Sequence, residues 1–242
     1  MSTIARLITA SIISLLMTSC VFDLNIGEGV TGNRNVTKEN RYIDKDFNAV
    51  KISRGIEVYI TQDNTINLSV EADENLHEII TTEVENNVLR ISTTANIKSS
   101  ASKKVMLSVK DLSSIKASSG AYVSSSSTFK TSELNLYSSS GSHIDIDVKT
   151  EELFCDSSSG SGIKLSGDTN RLEAEASSGS YIKASNLDTQ VSRVNASSGS
   201  NISVNTSKEL TAKASSGGNI KYSGNPEIVN KKNGVSGSIR KQ

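Results

Sequence analysis

Apolar and polar residues alternate on both sides of a short phrase that returns six times between residues 115 and 222. It first appears as Ala117-Ser118-Ser119-Gly120, and its glycine recurs as Gly141, Gly160, Gly179, Gly199 and Gly217, at spacings of 21, 19, 19, 20 and 18 residues. Three residues after the glycines stand Val123, Ile144, Ile163, Ile182, Ile202 and Ile220, an unbroken column of β-branched side chains. Five before them stand Ile115, Leu136, Cys155, Ala174, Val194 and Ala212, and the intervening positions are mostly polar, as at Ser124, Asp145, Lys164, Lys183, Ser203 and Lys221. Period-two alternation on either side of a glycine predicts strand, corner, strand, with one face buried.

A unit of about 19 residues cannot bury its apolar face alone, whereas copies stacked in register bury a continuous column. The expected fold is therefore all-β: a single-stranded parallel β-helix, right-handed by the general preference of parallel crossovers. Glycine is expected at positive φ in each corner, and the Ser-Ser hydroxyls are expected to form ladders there.

Residues 47–61 repeat the same alternation around Gly55 and predict a degenerate first rung. Residues 67–72 continue as strand with Leu68 and Val70 inward. Residues 73–80 predict a single helical turn, capped by Asp73 or Asn75, and residues 83–91 a hairpin around Asn86-Asn87. Residues 93–104 read as a polar loop, and residues 105–109 as the strand that leads into the regular repeats. Such an atypical end suits a solenoid, whose terminal rung needs a cap against edge pairing. Residues 235–239 are a last imperfect echo, and Lys231, Lys232, Arg240 and Lys241 make the tail basic.

Composition changes this picture little. The 242 residues include one proline and no tryptophan, and 26 acidic residues balance 26 basic ones, which gives no electrostatic case for nucleic acid or an anionic membrane surface. Residues 1–19 have the short apolar run of an export signal, too short to span a bilayer as a helix. Residues 16–20, Leu-Met-Thr-Ser-Cys, resemble a lipobox, which makes Cys20 the lipidated residue of an outer-membrane-anchored envelope protein. An ordinary cleaved signal or a free thiol is the alternative. Residues 20–40, rich in Gly, Asn and charge, then read as a tether, and residues 41–242 as the β-helix domain. With Cys20 acylated, Cys155 has no partner and is expected as a small buried hydrophobe.

Candidate chemistry is sparse. His143, Asp145 and Asp147 share one outward strand face, but a metal site needs further ligands and supporting groups. Asp145 over Lys164, Glu152 over Arg171 and Glu173 over Arg193 predict opposite charges stacked on consecutive rungs. The sequence shows no carboxylate cluster of the kind glycosidic chemistry requires, and the repeat lacks the aspartate of calcium-binding nonapeptides. Tyr122, Tyr137, Phe154 and Tyr181 face outward and are the candidate ligand-binding residues, suited to sugar rings or to a protein partner.

The start of the domain carries a resemblance. Phe47-x-x-Val50-x-Ile52, Gly55-Ile56-x-Val58-x-Ile60, the segment at residues 71–76, and Val88-Leu89-x-Ile91, followed by Ser-Ser-Gly rungs, resemble the putative auto-transporter adhesin "head GIN" domain proteins of Bacteroidetes. The resemblance implies a right-handed β-helix and an envelope location, and supplies no catalytic mechanism, cofactor or binding residue. The reading is thus a lipid-anchored envelope β-helix that acts as a non-catalytic binding or scaffolding surface. Its partners would be the membrane, through the lipid, and a carbohydrate or an envelope or host protein; its oligomeric state stays open. The alternatives are a carbohydrate-active enzyme with a groove between residues 96–104 and 63–66, and a structural protein that polymerises end to end.

Overall fold

The computed structural model describes residues 29–242. The export signal at residues 1–19, Cys20, and residues 20–28 of the expected tether lie outside the described residues.

The chain is a parallel β-solenoid. Ser114–Ala117, Glu133–Ser138, His143–Ser157, Gly162–Ala176, Tyr181–Ala196, Asn201–Ala214 and Asn219–Ser223 stack rung on rung with like columns aligned. Ile144 pairs with Ile163, Ile163 with Ile182, Ile182 with Ile202, and Ile202 with Ile220, all buried. Burying such a side chain stabilises by roughly 1.5–3 kcal/mol, so the stacked column carries the core.

Each corner is a tight turn with two left-handed residues. At Ser177-Ser178-Gly179-Ser180, Ser178 has φ 53° and Gly179 φ 71°, and the Ser180 N–H donates to the Ser177 carbonyl at 3.2 Å. Positive φ at both central positions is the type I′ pattern, and serine, not glycine alone, bears it. In the final echo Ser236 takes the column of Gly217, because Ile239 aligns with Ile220 and Gly237 falls one residue later.

The expected hydroxyl ladder of the Ser-Ser pair is corrected by the structure. Corners stack through backbone: the Gly160 N–H donates to the Ser178 carbonyl at 3.1 Å, and the Gly179 N–H to that of Ser198 at 3.0 Å. The buried hydroxyls belong instead to the residue after the glycine, Ser142, Ser161, Ser180 and Ser200, joined in two corners by Ser138 and Ser157 three residues before it. Ser180 Oγ donates to the Ser157 carbonyl of the preceding rung at 2.6 Å and accepts from the Ser177 N–H at 3.1 Å. Inside the solenoid a hydroxyl must find partners, and the corner's own amide and the neighbouring carbonyl are within reach.

Away from the corner the chain bends without leaving the strand. Two outward residues follow one another, as at Glu151-Glu152 and Asn170-Arg171, and a buried threonine fills the inside of the bend. Thr150 donates to Thr169 at 2.9 Å, and Thr189 bonds Ser192 at 2.6 Å, so this second polar column is also satisfied internally.

At the N-terminal end the order of rungs in space departs from their order in sequence. Ala49–Ile52 and Glu57–Gln62 form the expected rung, with Arg54 (φ 59°) and Gly55 (φ 71°) at its corner. That rung is sandwiched: Ser114–Ala117 and Tyr122–Ser125 lie on one side, Val88–Thr93 and Lys103–Val109 on the other. Antiparallel strands complete the cap. Asn67–Asp73 pairs with Lys103–Val109, Val36–Arg41 pairs with Asn67–Asp73, and Ile80–Glu85 pairs with Val88–Thr93 across the Asn86-Asn87 turn.

Two further expectations change here. The tether does not extend to residue 40, since Val30–Thr31 pairs with Ile97–Ser99 and Val36–Arg41 belongs to the sheet; paired backbone outweighs the polar composition. The same pairing makes part of the polar loop at 93–104 a strand. The helical turn is a 3₁₀ turn, Glu74–Leu76, and Asp73 does not cap it with its side chain. The Asp73 carboxylate is buried and accepts from the Arg34 and Ser102 N–H groups, each at 2.9 Å, and from that of Ala101.

Candidate functional site

Each rung presents outward side chains four and six residues before its glycine, and two and four residues after it. This parity divides the predicted aromatic residues between two faces. Tyr137 and Phe154 precede the corner and pack together with ring centroids 5.6 Å apart, while Lys116 Nζ lies 4.6 Å from the Tyr137 centroid. Tyr122 and Tyr181 follow the corner, in one column that runs Glu57, Tyr122, His143, Gly162, Tyr181, Asn201, Asn219. The structure therefore brings Tyr137 and Phe154 together, leaves Tyr122 and Tyr181 three rungs apart in their column, and does not unite the four in one platform. All four are half-buried.

The post-corner face holds two further rings. Tyr59 packs edge-on against Tyr122 at 6.3 Å, and His143 meets Tyr181 edge-on at 5.9 Å. Both arrangements are of the kind aromatic quadrupoles favour. Tyr59 stands four residues after Gly55, so the phase of the degenerate rung already carried its address. Tyr181 reaches His143 by crossing Gly162, which has no side chain to block the ring.

The two aspartates of this face are each engaged with a neighbour on the next rung. Lys164 donates to Asp145 at 2.8 Å, and Ser166 donates to Asp147 at 2.7 Å. His143, Asp145 and Asp147 thus share a strand face but turn to separate partners. Among the described residues no group of three or more His, Cys, Asp or Glu is placed to hold a metal ion. Of the expected charge ladders, Asp145–Lys164 closes, and Glu152–Arg171 forms a looser pair at 3.7 Å. Glu173 and Arg193 are in register, but both are exposed and they close no ion pair. Cys155 lies fully buried beneath the pre-corner strand, and burial together with the charge of Asp156 pushes its thiol far up.

One concavity interrupts the face. The rung containing Tyr181 carries extra residues after Ala184, because Ala184 aligns with Val204 while Asp188 aligns with Asn205. Ser185 and Asn186 rise from the sheet as a bulge and wall a groove of about 350 Å³, which Gln242 also lines. Lys164, Tyr181, Lys183, Asn201, Asn219 and Lys221 are among its lining residues. The 20-residue spacing before Gly199 and the 18-residue spacing after it are the only trace of this bulge in the sequence. The enzyme-like groove expected between residues 96–104 and 63–66 takes no such form. Residues 96–104 are pinned by the pairing of Ile97–Ser99 and by Asp73, and Asp63 closes a tight turn onto Thr65.

A family model described as "Putative auto-transporter adhesin, head GIN domain" matches residues 46–226, well over half of the chain. A crystal structure of a putative adhesin from Bacteroides fragilis NCTC 9343 superposes with a TM-score of 0.80 at 20% identity, over 88% of this chain and 100% of that one. A putative lipid binding protein from Parabacteroides distasonis ATCC 8503 superposes with a TM-score of 0.73 at 22% identity, over 89% of this chain and 100% of that one. A putative adhesin from Parabacteroides merdae ATCC 43184 gives 0.70 at 21% identity, again over 89% and 100%. At these identities the likeness is one of fold. A search of curated proteins finds no match.

Proposed function

The chain belongs to the head GIN domain family of putative auto-transporter adhesins, and on that premise we propose that it is a lipid-anchored, non-catalytic recognition module of the cell envelope. The observation that carries this reading is the post-corner face, where aromatic, amide and lysine side chains line up along the stack while Asp145 and Asp147 are each occupied by a neighbouring rung. Glycosidic chemistry asks for two carboxylates converging on one bond, and the arrangement of Asp145 and Asp147 favours adhesion over turnover. Residues 16–20 support the anchor, with Cys20 as the acylated residue.

The test is a screen of the full chain, in non-ionic detergent, against glycan and matrix-protein arrays, with chromatography of every bound glycan. A reproducible hit weakened by Tyr122→Ala or Tyr181→Ala, with the glycan recovered intact, supports recognition by this face. Cleaved glycan overturns the non-catalytic reading. For the anchor, Cys20→Ala is expected to abolish incorporation of labelled fatty acid in cells, and persistent incorporation refutes it.

A further inference from the structure

The groove beside the Ser185–Asn186 bulge combines charge and shape in a way that neither the repeat nor the solenoid core requires. Its lining holds three lysines, Lys164, Lys183 and Lys221, and no Asp or Glu side chain. Lys164 is held by Asp145 at 2.8 Å, whereas Lys183 and Lys221 have no Asp or Glu partner within ion-pair distance among the described residues. In a molecule whose charges otherwise balance, this is a local excess of positive charge inside a concavity, where surrounding protein focuses the field.

The remaining lining groups suit a polyhydroxylated ligand. Asn201 and Asn219 stand on consecutive rungs, with Asn219 Nδ2 3.3 Å from Asn201 Oδ1, so the pair presents amide donors and acceptors at one rung's interval. Tyr181 lies beside them on the preceding rung, its ring supported from below by Gly162 and from the side by His143, with Lys183 Nζ 4.9 Å from its centroid. Lys183 and Lys221 occupy one column two rungs apart, a distance of roughly 10 Å at strand spacing. Successive rungs advance by about the length of one sugar unit in an extended chain, so charges two rungs apart meet every second unit.

We propose that this groove binds an acidic oligosaccharide along the solenoid axis. Lys183 and Lys221 meet its anionic groups, Asn201 and Asn219 bond its hydroxyls, and Tyr181 supplies an aromatic surface for a ring. This rests on the recognition reading above and specifies its ligand class. The bulge is the built element of the site, since an insertion in one strand of a regular stack re-aims the side chains beside it.

The experiment is calorimetric titration of the full chain in detergent with hexagalacturonate, with maltohexaose as the neutral counterpart and inorganic polyphosphate as the non-sugar anion. The expected result is binding of hexagalacturonate that weakens at least tenfold in Lys183→Ala/Lys221→Ala, and that weakens with added salt. Lys213→Ala/Lys232→Ala, on exposed positions before the corner, is expected to leave affinity unchanged. Maltohexaose binding as tightly, equal losses in the two double variants, polyphosphate matching the sugar with the same sensitivity, or no binding of hexagalacturonate would each overturn the proposal. Recognition as such survives those results if the array screen returns a neutral glycan or a protein weakened by Tyr122→Ala or Tyr181→Ala, and falls if bound glycan is cleaved.

Discussion

The ring of Tyr181 occupies the space that a side chain at Gly162 would need: a Cβ built there would run into its Cζ and hydroxyl. Gly162 is not a corner glycine and has no positive φ, so conformational freedom does not explain it. It is glycine because the next rung's tyrosine lies across it on the way to His143.

This relationship predicts a change of sign. Gly162→Ala should lower stability by ~1 kcal/mol, through displacement of the ring. In a Tyr181→Ala background the same substitution should stabilise by ~0.5–1 kcal/mol, since alanine suits a strand better than glycine once the space is free. Urea unfolding of the four proteins measures the cycle, and additive effects would rule out the contact.

At the corner, Gly179 has φ 71° and nothing within 4 Å of where a Cβ would stand. Gly179→Ala should therefore lose only the conformational term, ~1 kcal/mol. Ser178→Asn should raise stability by a few tenths of a kcal/mol, up to ~0.5, because asparagine before glycine is the favoured type I′ pair. Thermal melts decide both, and an unchanged melting temperature in Gly179→Ala contradicts the corner geometry.

Asp73 gives the fold an acid dependence. Burial alone would raise its carboxyl, but the N–H groups of Ser102, Arg34 and Ala101 outweigh that and hold it below its usual value. A carboxylate depressed in the folded state contributes stability above its ordinary pKa of ~3.9, and the contribution is lost as pH falls through the lower folded value. Asp73→Asn should cost ~1–3 kcal/mol at pH 7, with the gap to wild type narrowing at pH 3. A gap independent of pH would show that the charge is not what matters.

Cys155 is predicted to be inert. Its thiol is fully buried and pushed up by burial and by Asp156, so little thiolate forms at neutral pH. An aromatic disulfide reagent should label the native protein orders of magnitude more slowly than the urea-unfolded chain. Comparable rates in the two states would contradict the burial.

The rungs were legible in the sequence because a solenoid is nearly one-dimensional: each residue's neighbours are the residues about 19 positions away, so columns can be read by counting from Gly120 to Gly217. That counting placed the isoleucine column, Cys155 in the core, the glycines at positive φ, and the Asp145–Lys164 pair. It could not place the buried hydroxyls, since Ser178 and Ser180 are the same residue type on either side of Gly179. Only the backbone path through the corner turns the second inward and leaves the first outside. Nor could it order the cap. The rung of Gly55 lies between strands that come later in the chain, a long-range arrangement that no local period encodes. The division of Tyr137 and Phe154 from Tyr122 and Tyr181 follows from the turn between the two halves of a rung. The groove exists because a bulge of a few residues at Ser185 lifts one wall, which in sequence is only a spacing of 20 followed by 18. Periodicity determined what stacks on what; the path of the chain through space decided which of the stacked surfaces could meet a ligand.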